Sequence, residues 1–405
     1  MNRWPWIMKF NMLTGLFVII FLISPLTGSG QAQTYGIPKT GQDNIYHPSS
    51  GTDLGDDGVI QAGFPLGSRR ILAFQDNNNG TITDLASGLM WQKADSLGME
   101  FGDLSRQMSW TDAFSYVAAM NSQGYGGHYD WRIPNIKELS SIINQGTWLP
   151  SIYYIFDSMQ SANYWSSTSL EIQGSQRAYH ILFNEGFVQY AYPDSSAMYV
   201  KAVRSYLPGS GVAGFPKTGQ TVVFHAGAGN DKGDDGETRS GFPMTGDSYT
   251  DNGNGTITQN ATGMFWQQSD SATQSFGGYS GALTWEEGFA YVAQMNAQAF
   301  AGYTDWRMPN YFELISLLDF EYFWPIMGPL FDPEKYPYWS STNRFGVTPP
   351  TYAWTVSWAS GWGNVYEKTD TYYIRAVRGG PVITPSPIPL PSPTPNPRYG
   401  VPKTG

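Results

Sequence analysis

Hydrophobic and polar positions along this chain change period several times, and they do so twice in the same order. "AFSYVAAMN" (113–121) sets Phe114, Val117 and Met120 at helical spacing, and "GFAYVAQMN" (288–296) repeats them as Phe289, Val292 and Met295. Ser109 and Thr284 stand where such helices need an N-cap. Asp112 and Glu287 follow three residues later, the spacing of a capping box. A second helix is predicted from "IKELSSIIN" (136–144), with Ile136, Leu139, Ile142 and Ile143 on one face. Asn135 and Asn310 would cap this helix and its copy, with Glu138 and Glu313 at the third helical position.

Elsewhere the period is two. "TITD" and "LMWQ" read as strands after the turn-forming "DNNNG", and "DNGNG" opens the same pattern in the second copy. "AYHILFNEGFVQYAY" (178–192) and "AWTVSWASGWGNVYE" (353–367) read as hairpins turning at Gly186 and Gly361. Tyr179, Ile181 and Phe183 share one strand face with their counterparts Trp354, Val356 and Trp358. Bulky residues at one parity in both copies predict a core face and not a ladder for stacking sugars.

Between helix and strand lies "YDWRIPN" (129–135), written again as "TDWRMPN" (304–310). Proline ends the strand and asparagine starts the helix, so the string is a strand-to-helix corner. Trp131 and Trp306 are expected to pack beneath it. Arg132 and Arg307 need a carboxylate, Asp130 or an acid at the core edge for the first of them. Arg204 and Arg378 share parity with Val200 and Ile374, which points them inward toward acids as well.

These repeats predict tandem domains at 70–206 and 245–380. Each follows a leader (33–69 and 207–244) of the form "PKTGQ…GDDG", and the same head returns at 399–405 after a Pro-rich linker at 381–398. Residues 1–32 read as a signal peptide: Arg3 and Lys9 precede the apolar "MLTGLFVIIFLI", and small residues suited to cleavage follow. The expected location is secreted or at the cell surface, with the periplasm as an alternative, and no span is expected after cleavage.

Composition narrows the chemistry. With 41% hydrophobic and 16% aromatic residues the chain can build packed cores, so disorder is excluded as its general state. It has no cysteine, which rules out disulfides, thiolate metal sites and a cysteine nucleophile. A net charge of −10 without a basic cluster argues against nucleic acid as a partner. No serine elbow, zinc helix or phosphate loop appears. His47 and His225 alone among the histidines are matched between copies. Each precedes an acidic loop, Asp53, Asp56 and Asp57 or Asp231, Asp234 and Asp235. Such carboxylates are candidates for Ca²⁺, and the plainer reading is a solvated Asp-Gly turn. The loops at 95–108 and 145–156 differ most from their counterparts at 270–283 and 320–331. Trp148, Tyr153, Tyr154, Tyr322, Phe323 and Trp324 lie in them without core periodicity, which makes them candidate ligand contacts.

At "DNGNGTITQNATGMFWQQ", "DWRMPN", "YWSST" and "RAVRGG" the chain resembles the Lcl C-terminal domain family, named for the C-terminal domain of a collagen-like bacterial surface adhesin. The resemblance covers roughly 70–206 and 245–380. It implies an α+β, C-type-lectin-like fold in each copy, a small twisted antiparallel sheet with two helices. It also implies adhesion at a surface, sulfated glycans as ligands and a trimer as assembly. The negative charge suits a sulfated polyanion poorly, and the Glu-Pro-Asn and Trp-Asn-Asp signatures of calcium-dependent lectins are absent. The expected function is a non-catalytic tandem module that binds a glycan or a surface protein. The alternatives are an assembly unit of a surface array and a divalent-metal-dependent enzyme.

Overall fold

The computed structural model describes residues 37–63, 70–157, 161–205, 216–241, 249–322, 324–332 and 336–379. The predicted signal peptide, the Pro-rich linker, the head at 399–405 and Phe323 lie outside the described residues. Among those described, no helix is long and apolar enough to cross a membrane.

Leader 1 carries one short helix, α1 (Asp57–Ile60). Repeat 1 then runs β1 (Phe74–Asp76), β2 (Thr81–Asp84), β3 (Leu89–Gln92), α2 (Trp110–Ser122), α3 (Ile136–Ser140), β4 (Asn163–Ile172), β5 (Ser175–Leu182), β6 (Phe187–Ala191) and β7 (Val203–Ser205). Leader 2 carries α4 (Asp235–Thr238). Repeat 2 follows the same order with β8 (Tyr249–Asp251), β9 (Thr256–Gln259), β10 (Met264–Gln267), α5 (Trp285–Ala297), α6 (Tyr311–Ser316), β11 (Pro337–Asn343), β12 (Tyr352–Ser357), β13 (Gly363–Glu367) and β14 (Val377–Gly379). The class is α+β with antiparallel sheets and few helices.

The caps form largely as their sequence spacing requires. Asn135 and Asn310 complete full capping boxes with Glu138 and Glu313, and Thr284 completes one with Glu287. Ser109 caps α2, but Asp112 is one methylene shorter than Glu287. Its carboxylate takes a hydrogen bond from the Ser109 hydroxyl at 2.7 Å, and the reciprocal half of the box is missing.

The sheets depart from one small sheet per repeat. Each repeat has a four-stranded sheet of its own, β1-β2-β3-β7 or β8-β9-β10-β14. The remaining strands of both repeats join in a single six-stranded sheet, β11-β12-β13-β6-β5-β4. The seam is antiparallel and pairs Gly363 with Val188. These two are equivalent positions of the repeat, so a pseudo-two-fold axis passes between them and the repeats meet as the halves of an isologous dimer.

Packing follows that symmetry. Repeats 1 and 2 each keep a cluster around their long helix, and a third cluster runs through both, joining Tyr179, Ile181 and Phe183 to Trp354, Val356 and Trp358. The Tyr179 hydroxyl crosses the seam to donate to the Ser360 carbonyl at 2.8 Å. Side-chain volume is exchanged across the repeats. Repeat 1 has Ile136 and Val188 where repeat 2 has Tyr311 and Gly363, and a Cβ on Gly363 would lie 1.7 Å from the Tyr311 hydroxyl. The partner repeat and leader 2 complete the burial of α3 beyond its predicted apolar face. Lys137 is fully buried and donates from Nζ to the Ser316 carbonyl at 3.2 Å and the Lys217 carbonyl at 3.0 Å. Burial lowers its pKa to about 7, against the opposing pull of Asp319 and Asp235.

Candidate functional site

The corner string supplies the rigid frame. Trp131 and Trp306 are fully buried, and each indole N–H donates to a backbone carbonyl, that of Tyr125 or Phe300. Asn121 and Asn296, at the ends of α2 and α5, clamp the tryptophan backbone from both sides, accepting at 2.7 Å and donating at 2.8 Å. Arg132 pairs with Glu138 through two hydrogen bonds of 2.6 Å, and Arg307 pairs with Glu313 in the same way. The acid that holds each arginine is therefore the capping-box glutamate. Asp130 belongs to Arg204, at 2.6 Å, and Asp305 to Arg378.

Each leader is seated on this frame, and on the repeat that its tether to the next repeat would not suggest. The head of each leader lies against the repeat that follows it, the Thr40 carbonyl taking the Gln145 N–H and the Thr218 carbonyl the Phe320 N–H, but the rest of leader 1 lies along repeat 2 and the rest of leader 2 back along repeat 1. The same atoms make both seats. Asp57 accepts from Thr40 of its own leader at 2.6 Å and from Thr342 of β11 at 2.8 Å. Asp235 accepts from Thr218 at 2.5 Å and from Thr168 of β4 at 2.7 Å. Gln42 takes the Asn343 backbone N–H, and Gln220 that of Ser169. His47 stacks on Phe289 with ring centroids 4.1 Å apart, and His225 stacks on Phe114 at 4.1 Å. The clamping asparagines donate again, Asn296 to the Thr52 carbonyl and Asn121 to the Asn230 carbonyl.

This use of the acidic loops overturns their reading as solvated turns. Asp56, Asp57, Asp234 and Asp235 are all buried, because the other half of the molecule covers them. Nor do the three acids of a loop share one centre. Asp56 takes the backbone N–H groups of Tyr46 and His47 and the Asn343 amide. Asp57 takes two threonine hydroxyls, and Asp53 takes His47. Asp234 and Asp231 follow this pattern with Phe224 and His225. Among the described residues no cluster of three or more His, Asp or Glu is arranged to hold a metal ion.

The seats differ electrostatically. Burial pushes the Asp57 carboxyl up to about 7 and that of Asp235 to about 6, with the threonine hydroxyls opposing the rise in both. Burial alone would lower the His47 pKa, but hydrogen bonds to Asp53 and Glu286 outweigh it and raise the imidazole to about 9. Thr111 stands in repeat 1 where repeat 2 has Glu286. For both Asp57 and His47 the folded value lies above the unfolded one. The stability each contributes is present at low pH and lost as pH rises through about 7 and about 9. Raising pH from 6 to 9.5 should therefore expose the backbone of residues 44–60 before that of residues 222–238. Hydrogen exchange corrected for its intrinsic pH dependence measures this, and equal loss of protection in both leaders would refute it.

Leader 2 also forms one wall of a cavity of about 220 Å³ between the two repeats. Leu170 and Glu171 of β4 line one side, Gln220 and Val222 of the leader another, and Glu321 and Tyr322 a third. At the matching place in the other half, Arg344 stands in the position of Leu170. It pairs with Glu185 at 2.6 Å and lies over the Trp148 ring at 5.8 Å.

A family model of the Lcl C-terminal domain matches residues 80–204 and again 255–378, more than half of the chain. The chain belongs to that family. No curated protein matches it. The two Lcl C-terminal domains place the candidate aromatics differently. Tyr322 lines the cavity, and Trp148, Trp324 and Tyr154 are exposed, Tyr154 the most at 87%. Tyr153 is not a surface contact. It is 3% exposed and packs on Phe74 in the shared core, since the loop around it has no alternation to show which tyrosine turns inward. The seat residues Thr40, Gln42, Thr168, Asn121 and their counterparts were missed as sites. Their only signal was recurrence in "PKTGQ", "YWSST" and "MN".

Proposed function

We propose that this chain is a secreted or cell-surface, adhesin-like binding module without catalytic activity, built from paired C-type-lectin-like domains, and that it takes a glycan ligand. The cavity carries this reading: it has the size for about one sugar ring, an aromatic side chain in Tyr322 and hydrogen-bonding groups in Glu171 and Glu321. The two glutamates and the acidic chain favour neutral or amine-bearing sugars over sulfated ones. An array of immobilised glycans tests it. The intact chain should bind a subset, and Tyr322→Ala should weaken that binding about tenfold, as expected for one aromatic anchor, with an unchanged melting temperature. Retention of binding in EDTA is expected, and its loss would assign the ligand a bound metal ion. No binding to any glycan would sink the proposal, and full binding by Tyr322→Ala would move the site elsewhere.

A further inference from the structure

The leaders make a second kind of surface, independent of the cavity. Leader 2 is joined to a repeat on each side, so its seat on repeat 1 is fixed by the chain. Leader 1 is joined to a repeat only through residues 64–69, and it reaches repeat 2 across sequence separations as large as 285 residues, between Asp57 and Thr342. Contacts of this kind are the same whether the leader comes from the same chain or from another. The hydroxyls of Thr40 and Thr342, the Phe289 ring and the Asn296 amide are satisfied equally in either case. Exchange then costs no contact, and the effective concentration set by the tether decides between the two arrangements.

The head of each leader is held closely by the repeat that follows it, repeat 1 for leader 1, and a leader from a second copy would meet the same head contacts on repeat 1 of the acceptor. Gly41 has φ +90, and a Cβ there would lie 2.3 Å from the Asn144 side chain and 2.8 Å from the Tyr153 hydroxyl. Gly219 has φ +88, and a Cβ there would lie 1.8 Å from the Asp319 carboxylate. Only glycine fits at either place. The same Pro-Lys-Thr-Gly head occurs a third time at 402–405, whereas the described residues provide two such seats.

We infer that leader 1 is an exchangeable docking element, and that its seat on repeat 2 accepts leader 1 of a second copy of this chain. The contact is heterologous, leader of one copy to repeat 2 of the next, so it propagates head to tail and can link copies into a row. Its chemistry is that of a peptide carrying a histidine for stacking, one aspartate for a buried threonine hydroxyl and another for a buried side-chain amide.

The absence of cysteine makes the test direct in the full chain. The Thr52 hydroxyl donates to the Ala293 carbonyl at 3.0 Å, which places these residues side by side in the seat. One chain carrying Thr52→Cys and another carrying Ala293→Cys are mixed at ~1 mM, comparable with the effective concentration of a short tether, unfolded, refolded together and oxidised. The expected product is a disulfide-linked heterodimer in at least tenfold excess over Thr52→Cys homodimer, its yield rising with concentration. The chain carrying both substitutions should close on itself when dilute and form a ladder when concentrated. Ser122→Cys and Asn230→Cys report on the leader 2 seat, where the side chains meet at 2.9 Å, and their mixture should give no heterodimer above background. Heterodimer yields from Thr52→Cys and Ala293→Cys that match the homodimer background at every concentration would overturn the inference. So would a yield equal to that of the leader 2 pair.

Discussion

Gly363→Val should destabilise the protein by about 3 kcal/mol, the upper part of the range for overpacking a core. The added Cβ has no room, because the Tyr311 hydroxyl occupies its position and Trp354 packs behind that ring at 4.8 Å. The position also lies at the seam, where Gly363 pairs with its own equivalent, Val188. Repeat 1 carries the compensating pair of side chains, Ile136 and Val188, at the equivalent positions of the same core. Tyr311→Ile added to Gly363→Val should therefore recover most of the loss, and a double-mutant cycle by urea denaturation should show strong coupling. Additive effects of the two substitutions would mean that the tyrosine and the glycine are not matched.

Arg307→Ala is expected to cost about 3–5 kcal/mol, since it strands the buried Glu313 carboxylate without its ion-pair partner. Arg307→Met combined with Glu313→Leu should cost much less, because no charge is then left behind, although the Asn310 N–H loses its cap acceptor at 2.8 Å. Both variants should bind ligand in proportion to their folded fraction. If Arg307→Ala kept the wild-type melting temperature and lost ligand binding, the corner would be part of a binding site and not a frame.

The corner was legible because its determinants are local. Trp131, Arg132, Asn135 and Glu138 lie within one strand end and one helical turn, so spacing alone shows the cap. Strand parity was legible for the same reason and placed Tyr179 and Trp354 in a core. It could not show that both belong to one core, since pairing across the seam leaves no mark on the alternation within either strand. The partner of Arg132 stayed open between Asp130 and an acid at the core edge, because spacing does not show that Asp130 faces Arg204 and Glu138 faces inward. The solvated reading of the leaders' acidic loops failed. An acidic Gly-rich loop looks solvated when its covering residues, Thr342 and Asn343, lie in another repeat. The cavity was legible only at Tyr322, because its other walls come from β4 and from leader 2.

The crossing of leader 1 also imposes an order in time. A ribosome completes repeat 1 and then leader 2, so that half can close as soon as it emerges. Leader 1 has by then been waiting since before repeat 1 was made, and Thr342 arrives 285 residues after Asp57. At typical synthesis rates that interval is about 15–60 s, far longer than the folding time of a small domain. For all of it Asp57 stands in water with its ordinary acidity. Its proton affinity rises only when the last part of the chain buries it.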